Sequence, residues 1–108
     1  MPLRKVLPMS QYKLEFNPRV NDELVSHARF IARVSRPAAE HFYTEFQLIL
    51  KRLQENPLQF PPYENPNLPA NFYHRVPFAK WYSIIFYLDG ATVVVDAVMD
   101  GRTGFANR

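Results

Sequence analysis

The chain contains no cysteine and only three glycines in 108 residues. Without cysteine there is no disulfide and no thiolate metal site, an absence compatible with the cytoplasm, where the protein is expected. So few glycines leave no glycine-rich loop to cradle a phosphate. Long apolar runs are missing too: Ile84–Leu88 and Val93–Val95 are far too short to span a bilayer, so no membrane association is expected. Met1–Ser10 has two basic residues but no apolar stretch of signal-peptide length. Residues 1–11 read as a loose leader at the start of one domain spanning 1–108. The three histidines, His27, His41 and His74, are far apart in sequence and form no metal motif. His27 and His41 read as surface or boundary residues. No Ser-His-Asp arrangement follows from spacing, and the paired Asp22-Glu23 suits a helix start through the helix dipole. No cofactor and no metal is expected.

What remains is rich in apolar and aromatic residues. A hydrophobic content of 47% and an aromatic content of 15% describe a chain that folds. The formal charge of +3 favours an anionic partner, nucleic acid or an acidic protein.

The alternation of Tyr12-Lys13-Leu14-Glu15-Phe16 predicts a half-buried strand, stopped by Asn17-Pro18. Asn21 is expected to cap a following helix, with Leu24, Ala28, Ile31 and Ala32 on its buried face. Ser35-Arg36-Pro37 breaks that helix and begins a second, since proline is tolerated in a first turn. In the second helix Ala39, Phe42, Phe46, Ile49, Leu50 and Leu53 form one apolar stripe, ended by Pro57. The short break makes the two an antiparallel hairpin that must bury its face on a sheet.

Leu58–Ala70, with Pro61, Pro62, Pro66 and Pro69, is a semi-rigid loop. Phe72–Phe78 reads as a strand that Pro77 assigns to an edge or a bulge. Trp81–Leu88 and Thr92–Met99 read as antiparallel strands joined at Asp89-Gly90 by a type I′ turn. Strict alternation would put Tyr82, Ile84, Phe86, Val93 and Val95 under the helices. Ser83, Tyr87 and Asp96 would then lie on an outer face, with Arg102 at its rim and Gly101 freeing the backbone there.

The candidate functional cations gather in the last third: His74, Arg75, Lys80, Arg102 and Arg108. A histidine exchanges protons near neutral pH, and arginines hold phosphates through forked hydrogen bonds. The plain alternative is a solvated basic rim. Arg29, Arg33 and Arg36 read as the wet side of the first helix.

The β-α-α-β-β-β order resembles the RelE/ParE superfamily of toxins from bacterial type II toxin–antitoxin modules. So do Leu53-Gln54-Glu55-Asn56-Pro57, Ile84-Ile85-Phe86-Tyr87 and Val95-Asp96-Ala97-Val98-Met99-Asp100-Gly101-Arg102. The resemblance runs from Tyr12 to Arg102. It implies an α+β fold, a helix hairpin packed on a small twisted antiparallel sheet. It also implies a cognate antitoxin as partner. RelE-like members cut mRNA on the ribosome, and ParE-like members inhibit DNA gyrase. The RelE mechanism needs cations around the scissile phosphate. The corresponding second-strand positions fall near His74 and Val76, and the third-strand position at Ser83. Arg102 matches the arginine after the last strand, and Arg108 lies near the place of a terminal tyrosine. A nuclease would therefore have to work with His74, Arg75 and Arg102. A binding protein would use Lys80, Ser83, Tyr87, Arg102 and Arg108. The missing lysines favour a ParE-like toxin that acts by binding, with gyrase as its target. The alternatives are a RelE-like endoribonuclease and a degenerate, non-toxic member that still binds antitoxin. The Pro-rich loop and the mixed outer face leave two occupants open, a second copy of the chain in a homodimer and the antitoxin.

Overall fold

A computed structural model describes residues 11–102 of the chain. Apart from Gln11, the expected leader lies outside the described residues, as does Arg108. Strand β1 (Lys13–Phe16) leads into helices α1 (Arg19–Ala32) and α2 (Arg36–Glu55), followed by strands β2 (Tyr73–Phe78), β3 (Tyr82–Asp89) and β4 (Thr92–Asp100). The order is the expected β-α-α-β-β-β. The sheet runs β1-β4-β3-β2, and β1 lies parallel to β4, so it is mixed rather than wholly antiparallel. Pro77 lies on the edge strand β2, where its missing N–H costs least.

The apolar stripe of α2 is buried as expected: Ala39, Phe42, Phe46, Ile49 and Leu53 face the sheet, with Leu50 packed beside them. Phe42, Phe46, Ile49 and Leu53 meet Val76, Phe78, Tyr82, Ile84, Phe86, Val93, Val95 and Val98 in one core. Ser35 caps α2, its hydroxyl accepting from the N–H of Ala38 at 3.2 Å. The start of α1 differs from expectation. Asn21 lies inside the helix, and Asn17 organises the entry instead, its Oδ1 accepting from the N–H of Arg19 at 3.1 Å. Val20 is buried on this helix, whereas Ala32 is exposed. Pro18 brings the helical φ one turn earlier than the acidic residues suggest.

Two departures in the sheet matter for function. The β3–β4 turn is Gly90-Ala91, because Asp89 still pairs with Thr92. Only Gly90 has a positive φ, +60°, which is the type II′ pattern and not the expected type I′. The second departure is a β-bulge at Asp96. Phe86 pairs with Val95 and Ile85 with Ala97, leaving Asp96 as the extra residue. The bulge reverses the alternation of β4. Val98 turns into the core, and Ala97 and Met99 move to the other side. Asp96 therefore does not lie on the open outer face. Its carboxylate accepts from Asn17 Nδ2 at 3.0 Å and Arg19 Nη2 at 2.9 Å.

Beyond Val95, no described residue pairs as a strand with β4 on the β1 side. Polar side chains of α1 take that place. Arg19 Nε donates to the carbonyl of Asp96 at 2.9 Å. The N–H of Val98 donates to Glu23 Oε1 at 2.8 Å, and His27 Nε2 lies 2.9 Å from the Val98 carbonyl. Arg19, Glu23 and His27 recur every four residues, so one helix face closes an otherwise open strand edge.

Candidate functional site

After the bulge, Val98, Asp100 and Arg102 share one parity, so Arg102 arrives on the helix side and not at the rim of the outer face. Its guanidinium packs at the end of the helix hairpin. Nε lies 3.1 Å from Asp100 Oδ1, and Nη2 lies 3.0 Å from Oδ2. Nη2 also donates to the Tyr82 hydroxyl at 3.2 Å. The guanidinium carbon stands 5.9 Å from the ring centre of Phe30, 5.5 Å from Trp81 and 5.7 Å from Tyr82. These are cation–π distances. Hydrogen bonding to Arg102 holds the Asp100 carboxyl below its ordinary range. Burial, and then the Asp100 charge, pushes the Tyr82 hydroxyl up. The arginine's charge is thus answered one-for-one by Asp100.

Gly101 does not supply conformational freedom here, for its φ is not positive. It supplies space. Its N–H donates to the Trp81 carbonyl at 2.7 Å, and a Cβ at Gly101 would sit 3.1 Å from that oxygen. The opposite side of this contact is the β2–β3 connection, Ala79-Lys80-Trp81. Ala79 and Lys80 have φ of 47° and 72°, and the Trp81 N–H donates to the Ala79 carbonyl at 2.8 Å. Such a positive-φ γ-turn is strained for residues with a Cβ. It carries Lys80 and Trp81 outward, with the Lys80 ammonium 5.3 Å from the indole ring centre.

His74 and Arg75, neighbours in β2, face opposite ways. His74 looks to the core side, stacked on Phe86 at 5.2 Å between ring centres. Its Nδ1 lies 3.0 Å from the Phe60 carbonyl, which can only accept, so Nδ1 carries the proton. This contact pins the Pro-rich loop, as does the bridge from Pro62 to His74. Val76, the other second-strand position, is buried in the core. Arg75 lies on the outer face, where its Nε donates to the Ser83 hydroxyl at 3.0 Å. The two line a pocket of about 380 Å³ with Glu64, Asn65 and Asn67 of the loop. Further along this face Tyr87 stacks on Phe72 at 4.8 Å and meets Tyr73 edge-on.

The structure therefore brings Arg75 to Ser83, and sets both Lys80 and Arg102 against the Trp81 ring. It places His74, Arg75 and Arg102 apart: one under the loop, one on the outer face, one at the helix end. Sequence reasoning missed Asp100, Tyr82, Trp81 and Phe30 as the partners of Arg102. Only the Asp100-Gly101-Arg102 spacing hinted at the first of them. Among the described residues no group of three or more His, Asp or Glu could hold a metal ion.

No protein-family model matches the sequence, and no curated protein does. Among solved structures, a chain of the chromosomal ParDE TA system from P. aeruginosa is similar in fold, with a TM-score of 0.66 and 13% identity. The match covers 84% of this chain and 97% of that one. The chain has the RelE/ParE-like fold that its element order implied.

Proposed function

We propose that the chain is the toxin of a cytoplasmic type II toxin–antitoxin module, acts by binding its target in the ParE manner, and is neutralised by a cognate antitoxin. DNA gyrase is the target this reading names. The likeness to a chain of a ParDE TA system supports the module. The dispersal of His74, Arg75 and Arg102 supports binding over catalysis. Phosphoryl chemistry needs donors converging on one phosphate, each worth about 10²–10³ in rate. Here His74 and Val76 face the core side, and Arg102 is already engaged by Asp100. Among the described residues no helix is long and apolar enough to cross a membrane, which is compatible with the same reading.

One observation favours the nuclease alternative: Arg75 and Ser83 line a pocket on the outer face. The two readings separate in vitro. The purified protein is expected to inhibit supercoiling by gyrase and to leave mRNA on translating ribosomes intact. Ribosome-dependent cleavage without a gyrase effect, lost in Arg75→Ala, would establish the nuclease instead. Expression of the folded chain without growth arrest would point to the non-toxic, antitoxin-binding member.

A further inference from the structure

The pocket on the outer face of the sheet holds two opposite charges that do not pair. Arg75 of β2 and Glu64 of the Pro-rich loop both line its volume of about 380 Å³. Neither forms an ion pair with a described residue; those pairs join Arg19, His41 and Arg102 to Glu23, Glu45, Asp96 and Asp100. Each charge has its own support. Arg75 stands on a strand, its Nε bonded to the Ser83 hydroxyl at 3.0 Å, which leaves both Nη groups without a partner among the described residues. Glu64 follows Tyr63, whose N–H donates to the Tyr73 carbonyl of β2 at 2.7 Å. It precedes a turn in which the Asn67 N–H donates to Asn65 Oδ1 at 2.8 Å. Ile85 and Met99 give the same pocket an apolar wall. Ser83 adds a second, independent observation. It is 6% exposed, the one buried polar residue among those described, and it lines the pocket. Its oxygen accepts from Arg75, but its own proton has no acceptor among the described residues. A buried donor left open beside an unpaired guanidinium calls for an oxygen from outside.

We infer that this pocket binds a small zwitterion: an ammonium and a carboxylate a few bonds apart with an apolar side chain, as in a free α-amino acid or a dipeptide. The carboxylate lies on the fork of Arg75 and accepts from the Ser83 hydroxyl. The ammonium donates to Glu64, and the side chain rests on Ile85 and Met99. Charge decides the class. The two charged groups of the wall, Arg75 and Glu64, sum to zero, as a zwitterion does. A phosphate monoester brings about two negative charges and would face Glu64 as well as Arg75. A simple cation would face Arg75, and a simple carboxylate would leave Glu64 unanswered. Size decides the rest. The volume is near the lower end of small-molecule sites, roughly 300–1,000 Å³, which suits a ligand of one or two residues. Charges already held apart on separate supports lose little freedom on binding. Arg75 and Glu64 are both exposed, so each ion contact alone is weak and selectivity comes from requiring the two together. The inference uses the pocket alone and stands whether or not the chain is a toxin.

The test titrates the full-length, isotope-labelled protein by NMR with L-leucine and, in a parallel arm, with the dipeptide Leu-Leu. At least one is expected to saturate with a dissociation constant of about 1 mM or below, and the tighter of the two names the source. The N-acetylated ligand, which lacks the ammonium, and the C-terminal amide, which lacks the carboxylate, should each bind about tenfold or more weakly. The variants assign the ends. Glu64→Gln should lose the preference for the free ligand over its N-acetylated form, and Arg75→Met the preference over the amide. Both positions are exposed, and an unchanged far-ultraviolet circular dichroism spectrum shows that the fold is kept. Dissociation constants above about 1 mM for leucine and Leu-Leu alike overturn the inference. So does equal binding by the blocked forms, or tighter binding of inorganic phosphate. Such a failure leaves the action on gyrase untouched, since that is read from supercoiling.

Discussion

Asp100 grips the guanidinium of Arg102 with both carboxylate oxygens, at 3.1 Å to Nε and 3.0 Å to Nη2, and its Oδ1 also accepts from the Arg102 N–H at 2.9 Å. Two parallel charge-assisted bonds fix both distance and plane, which a single ion contact does not. This relationship decides how the end of the last strand behaves. An arginine that reads in sequence as a free cation is, in the fold, half of a fork laid over Phe30, Trp81 and Tyr82.

The fork makes stability acid-sensitive in a defined window. The folded-state pKa of Asp100 lies below its ordinary value, chiefly because Arg102 donates to it. A depressed carboxylate contributes its full stability above the unfolded pKa and loses it as pH falls through the folded one. The unfolded value is about 3.9, so the loss sets in below about pH 4. Urea unfolding between neutral pH and about pH 3 should show Asp100→Asn losing less stability than the wild type over that window. Parallel curves for the two proteins would remove the fork from the account.

Tyr82 gives the opposite sign at the alkaline end. Its pKa is raised, first by burial and then by Asp100. The folded state therefore holds the phenolic proton more tightly than the unfolded chain. That contribution is complete below the unfolded pKa of about 10 and falls away as pH rises toward the folded value. Tyr82→Phe should flatten the decline in stability above about pH 10 while costing about 1 kcal/mol at neutral pH for the lost hydrogen bond. Thermal unfolding monitored by circular dichroism, which does not depend on tyrosine absorbance, is the measurement.

Much of the fold was legible in sequence, and the reason is periodicity. The stripe Ala39, Phe42, Phe46, Ile49, Leu53 has one helical solution, and the alternation within Tyr82–Leu88 has one strand solution. The bulge at Asp96 was not legible. Periodicity along β4 continues through it, since Val95, Ala97 and Val98 are all apolar and either register would bury some of them. What selects the bulge is remote: Asn17 and Arg19 bonding Asp96, and Glu23 and His27 bonding Val98. One inserted residue moves Arg102 from the outer face to the helix side. The candidate site was therefore readable as a set of cations but not as an arrangement. The aromatic partners of Arg102 come from α1, the β2–β3 turn and the start of β3, which no local pattern connects.

The polar closure of the β4 edge yields a stability prediction with a second readout. Removing the Glu23 side chain leaves the N–H of Val98 without its 2.8 Å acceptor. Glu23→Ala should cost about 1–3 kcal/mol, the penalty for an unsatisfied backbone donor. Glu23→Gln keeps an amide oxygen in reach and should cost less than about 1 kcal/mol. An unmasked strand edge also invites pairing with other chains. Glu23→Ala should therefore self-associate more than Glu23→Gln at equal concentration in sedimentation velocity. Equal stability of the two variants would mean that water replaces the carboxylate at no cost.

The turn before Trp81 provides the last prediction, because its strain is open to a single substitution. Ala79 and Lys80 hold φ of 47° and 72°, where a side chain costs roughly 1–2 kcal/mol per residue and glycine does not. Glycine in turn costs about 0.5–1 kcal/mol more entropy on folding. The strain outweighs the entropy by a modest margin, so Lys80→Gly should raise stability by about 0.5–1 kcal/mol. A chain selected only for stability would have glycine here, as it does at Gly90, whose φ of +60° is met by a glycine with nothing within 4 Å of a built Cβ. Lys80→Ala is the control: it removes the cation, keeps the Cβ and the strain, and should change stability little. Chemical denaturation of the three proteins makes the comparison. If Lys80→Gly is no more stable than the wild type, the turn is not strained.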